Sequence, residues 1–70
     1  MTDIKNLERW AIQTEDISPG DVIPRWDDVN DATVTSVIAR GSSVRVFTDG
    51  TPRVRTYMAN RTVTVLRPAS

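Results

Sequence analysis

Neither cysteine nor histidine occurs in this 70-residue chain. The first absence removes any disulfide staple, and the two together remove the usual thiolate and imidazole ligands of zinc and similar metals. They also leave hydrolytic or transfer chemistry without its common bases and nucleophiles, since a serine needs a base beside it. Ser36, Ser42 and Ser43 therefore read as turn and strand hydroxyls. No apolar run approaches the roughly 18 residues of a membrane span, and charged residues follow Met1 within a few positions, so no signal peptide is expected. The expectation is a soluble, cytoplasmic, non-enzymatic protein with no membrane, metal or cofactor. A chain this short buries only about 60% of the surface its unfolded form exposes. Its small core must hold alone or with help from self-association.

Lysine is also scarce: Lys5 stands against eight arginines. Arginine suits planar, bidentate partners such as carboxylates and phosphates, but the same bias, with the usage of Val, Thr and Asp, fits a high-GC bacterial or phage genome. Formal net charge is zero, yet residues 1–32 sum to −5 and residues 33–70 to +5. Either the two halves attract each other within one fold or the basic half presents a binding surface.

What is present is strand pattern. Val44 to Thr48 and Arg53 to Tyr57 alternate around Asp49-Gly50-Thr51-Pro52, and Thr62 to Leu66 forms a last strand. Ala32 to Arg40 is the longest strand candidate, turned by Gly41-Ser42 into the next. Ser18-Pro19-Gly20-Asp21 is a strong turn, because proline presets φ at its second position and glycine supplies positive φ at its third. Asp21-Val22-Ile23 leaves that turn as a short strand, and Pro24 then removes a ladder donor and bends the chain toward an acidic loop. Trp10 to Gln13 reads as a strand, residues 2–9 as the start of a short helix, and residues 57–61 as a tight corner. The expected core is Val34, Val37 or Ile38, Val44, Val46, Val54, Val63 and Val65.

Five or six short antiparallel strands without a real helix make this an all-β chain, one domain over residues 1–70 with 1–9 and 67–70 as terminal extensions. The Pro19-Gly20-Asp21-Val22-Ile23 opening, the meander with its Asp49-Gly50 hairpin, the one-turn corner and the valine-rich final strand together resemble the SH3-like small barrels, the group that includes KOW and Tudor-type modules. The resemblance spans about residues 10–67. It implies a small SH3-like barrel and a binding habit rather than an activity. The glycine-centred KOW motif and the Ala-Leu-Tyr-Asp-Tyr opening of signalling SH3 domains are absent, so neither family's particular ligand carries over.

Two surfaces are candidates. Core is the first expectation for both tryptophans, but Trp26, at a strand end, is the candidate for a half-exposed binding position and leads into Asp27, Asp28 and Asp31. In SH3-like barrels the ligand groove lies among such loops, and here the indole would anchor a basic or proline-rich segment of a protein partner while the carboxylates steer it. Trp10 is expected in the core. The alternative surface is the hairpin, whose arginines Arg45, Arg53 and Arg55 would neutralise phosphates while Phe47 and Tyr57 stack on bases of a nucleic acid. A pI near 6.1 argues against a stand-alone nucleic-acid binder, so protein binding leads. Asp27, Asp28, Asn30 and Asp31 lack the spacing of a calcium loop and read as a solvated loop.

Overall fold

Alternation of β-branched and polar residues is realised as six antiparallel strands, and the computed structural model describes residues 7–68. They are β1 (Leu7–Gln13), β2 (Val22–Ile23), β3 (Ala32–Arg40), β4 (Ser43–Thr48), β5 (Val54–Met58) and β6 (Thr62–Pro68), with a single 3-10 turn at Thr14–Asp16. The bounds of β3 match those expected, and β4 begins one residue before Val44 and ends at Thr48 as expected. The helix expected over residues 2–9 is replaced at its end by β1, and the rest of it lies outside the described residues. β6 takes in Arg67 and Pro68, which were expected in a terminal extension.

All pairings are antiparallel, and the strand order is β1-β6-β2-β3-β4-β5. Only residues 59–61 separate β5 from β6, although these strands lie far apart in that order. The sheet must therefore curl so that its far strand returns toward β6, which is compatible with a small β-barrel-like fold. Thr14 fastens this corner: its hydroxyl donates to the Met58 carbonyl at 2.9 Å and its N–H to the Arg61 carbonyl at 2.9 Å. Asn60, at φ +64°, donates its N–H to Glu15 Oε1 at 3.0 Å. The Ser18-Pro19-Gly20-Asp21 turn forms as expected, with Gly20 at φ +99° and Asp21 N–H donating to the Ser18 carbonyl at 3.1 Å.

Val34, Val44, Val46 and Val65 are buried together with Ile17, Ile23, Trp26 and Ala32, and Val37 and Val63 pack against them. A bulge between Val34 and Ser36 settles the choice between Val37 and Ile38. The pairing slips there from Val34↔Thr48 to Ser36↔Phe47, so Val37 faces Val46 on the inner side and Ile38 faces Arg45 on the outer side. Val54 departs from expectation. It is 41% exposed because it pairs with Phe47 on the outer side, while Arg55 pairs with Val46 and Tyr57 with Val44. Four residues separate the facing pair Thr48 and Arg53, and an even loop exchanges odd for even positions across a hairpin.

Candidate functional site

That register divides the proposed hairpin face. Arg45 and Phe47 lie outward, but Arg55 and Tyr57 belong to the inner side, where Tyr57 packs against the core. Arg53 stands in the exposed loop before β5. The five side chains expected to form one arginine and aromatic surface thus point in different directions. Arg55 is occupied within the fold: its guanidinium lies 4.6 Å from the centre of the Trp26 ring, and its Nη2 donates to the Trp26 carbonyl at 2.6 Å.

Trp26 is not a surface anchor. It is 1% exposed, and its indole N–H donates to the Pro52 carbonyl. The loop that carries it is tied to its own backbone. Trp26 N–H donates to the Asn30 carbonyl at 2.8 Å and Arg25 N–H to Asp31 Oδ1 at 3.0 Å. Asp27 Oδ1 accepts the N–H groups of Asn30 at 2.6 Å and Val29 at 3.0 Å, which hold its carboxyl below the usual aspartate range. Two of the three carboxylates expected to steer a partner therefore shape the loop, and Asp28, at φ +76°, sits at its bend. Gly50 supplies the facing wall, because a Cβ there would lie 2.9 Å from Ala32 Cβ and 3.1 Å from Trp26 Cδ1.

The charge halves meet at one ion pair among the described residues. Arg67 Nε and Nη2 fork onto Asp21 at 2.8 and 3.0 Å, and Asp21 also accepts the Ser18 N–H. This pair ties the last strand to the turn before β2. The basic excess of the second half is therefore partly internal, and the arginines left outward on the β3–β4 hairpin are Arg40 and Arg45.

A different surface emerges on the outer side of β3, β4 and β5. Cross-strand rows place Ser36, Phe47 and Val54 together, then Ile38, Arg45 and Thr56, then Arg40, Ser43 and Met58. Ile38, Val54 and Met58 are exposed, and Met58 is 60% accessible. None of these positions carries a carboxylate. A shallow groove of about 160 Å³ runs among Ile38, Arg40, Ser43 and Arg45. Of this surface, Arg45 and Phe47 are the members that alternation in the sequence points to. Alternation alone does not bring Ile38, Arg40 and Met58 to it, because their common side follows from the bulge in β3 and the even loop before β5.

Trp10 is also misplaced by the expectation of a core position: it lies 48% exposed on β1. No group of three or more acidic side chains among the described residues is placed to hold a metal ion. No helix among them is long and apolar enough to cross a membrane. Scanned against models of protein families, against characterised proteins and against solved structures, the chain matches none of them.

Proposed function

We propose that this chain is a non-enzymatic binding module that recognises a protein partner through the outer side of β3, β4 and β5, rather than through the Trp26 loop. The finer architecture that accompanies this reading is an SH3-like barrel, a scaffold suited to presenting one sheet face. One observation carries the proposal: Ile38, Val54 and Met58 are exposed on the sheet side that also carries Phe47, Arg40 and Arg45, with no acidic residue in its rows. Apolar contact supplies area, and the two guanidinium groups select an acidic neighbour, so the fitting partner is a protein segment with large apolar residues beside aspartate or glutamate. Apolar side chains alternate with the two arginines across these rows, so the positive charge is not continuous, which favours such a segment over a phosphate backbone.

Selection of displayed random peptides against the chain, run in parallel against Arg45→Glu, tests this. Acidic and apolar peptides should be enriched on the natural chain and lost on the variant. No enrichment, or enrichment that Arg45→Glu leaves unchanged, contradicts the proposed surface. Binding of short oligonucleotides at low salt that falls steeply with added salt and disappears in Arg45→Gln would instead assign the face to nucleic acid.

A further inference from the structure

We infer that β1 pairs with β1 of a second copy, antiparallel and centred on Trp10, to form a homodimer. β1 lies at one end of the strand order, and β6 is its substantial neighbour among the described elements. Every residue from Leu7 to Gln13 except Ile12 is exposed. Backbone parity identifies the groups left open. Thr14 N–H donates to the carbonyl of Arg61, in the same register that pairs Gln13 with Thr62. Even-numbered residues of β1 therefore bond to β6, and Leu7, Arg9, Ala11 and Gln13 turn their N–H and C=O groups to the free edge. The same alternation turns the Leu66 backbone toward β2, with which it pairs. Such an open edge is a template for another strand.

The other end of the sheet is less open. β5 has five residues, and its outward parity leaves Val54, Thr56 and Met58, of which Met58 already accepts the Thr14 hydroxyl.

Symmetry and charge then select the occupant and register. A two-fold axis normal to a continuous antiparallel sheet requires one residue to face itself. Centring on Glu8 or Arg9 sets like charges opposite each other, which is destabilising. Centring on Ala11 also keeps like charges apart but leaves Leu7 and Glu8 opposite residues beyond β1, whereas centring on Trp10 pairs Leu7 with Gln13 of the second copy and Arg9 with Ala11, so the whole of β1 is used and no like charges meet. Trp10 faces its copy at a non-hydrogen-bonded position, where opposed side chains approach closest. Two half-exposed indoles would cover each other there. An acidic or basic foreign strand finds no such match, because Glu8 and Arg9 carry both signs.

Sedimentation equilibrium from micromolar to millimolar protein should show a monomer–dimer equilibrium. Ala11→Pro removes an N–H that faces the free edge without disturbing the β6 ladder, so it should give a monomer with an unchanged β-sheet circular dichroism spectrum. If that variant loses its spectrum, Trp10→Lys takes its place with the same expectation. The register has its own readout in a chain without cysteine. Oxidised Trp10→Cys should become a covalent dimer, because Cα atoms at such a pair lie about 4.5 Å apart, inside the disulfide range. Ala11→Cys should not. A chain that stays monomeric to millimolar concentration, a folded proline or lysine variant that remains dimeric, or cross-linking at position 11 in place of position 10 overturns the inference.

Discussion

Replacing Trp26 by phenylalanine should weaken the fold by an amount set by its three attachments. The ring is 1% exposed, its N–H reaches the Pro52 carbonyl, and Arg55 lies over its face. Phenylalanine keeps most of the apolar contact but removes the donor and part of the ring. Loss of a buried hydrogen bond with its partner left behind costs about 1–3 kcal/mol, and a weaker cation–π contact adds about 0.5–1 kcal/mol or less. A loss of roughly 2 kcal/mol is large for a chain of this size, whose total stability is on the order of 3–10 kcal/mol at about 0.05–0.15 kcal/mol per residue. It should lower Tm by about 8–16 °C. Complete truncation to alanine, at about 3–5 kcal/mol, should leave much of the protein unfolded. Urea unfolding followed by circular dichroism measures the loss. Trp10→Phe, measured below the concentration of self-association, is the control and should change stability by less than about 0.5 kcal/mol. If Trp26→Phe is as mild as Trp10→Phe, or if acrylamide quenches Trp26 as readily as Trp10, the placement of the two indoles is wrong.

The remaining predictions follow from the same packing. Val46→Ala should cost about 1–3 kcal/mol, because Val46 is fully buried, whereas Val54→Ala on the outer side should stay within about 0.5 kcal/mol; equal losses in urea titrations would contradict the register. Gly50→Ala should destabilise by about 1–3 kcal/mol through the close approach to Ala32 and Trp26, with Tm as the readout, and an unchanged Tm would show that the wall is not there. Glu15, chiefly through the Asn60 N–H, and Asp27, through the Asn30 and Val29 N–H groups, have lowered pKa values. Their folded-state pKa lies below the unfolded one, so their contribution is complete above the ordinary carboxylate range near about 4 and is lost as pH falls through the lowered values. A Tm series should therefore decline below about pH 4, less steeply in Glu15→Gln combined with Asp27→Asn, and a slope that the double variant leaves unaltered would refute this origin.

The strands themselves were legible because their signals are local. β3 and β4 are runs of β-formers bounded by Gly41-Ser42 and Asp49-Gly50, and no distant contact is needed to place them. Which side each residue faces was less legible, since one bulge at Thr35 and the even loop after Thr48 reverse parity twice. The choice between core and surface for Trp26 was open for a related reason. Pro24, Arg25 and the acidic loop describe an exposed backbone, whereas the partners that bury the indole, Pro52 and Arg55, lie 26 and 29 residues away in sequence. Trp10 stands in a strand that was recognised, but its exposure depends on β1 being at the end of the strand order, which alternation does not encode.

The division of the β4–β5 hairpin into an inner side with Arg55 and Tyr57 and an outer side with Arg45, Phe47 and Val54 underlies both the burial of Trp26 and the proposed partner surface. Measurement of interstrand Hα–Hα nuclear Overhauser effects tests it directly, because Cα atoms of non-hydrogen-bonded antiparallel pairs approach to about 4.5 Å. Thr48 N–H donates to the Arg53 carbonyl, which fixes Phe47↔Val54 and Arg45↔Thr56 as those close pairs. Strong effects between Phe47 and Val54 and between Arg45 and Thr56 are expected. Effects joining Val46 to Val54, or Arg45 to Arg55, would mean that β5 is shifted by one residue and would contradict the account.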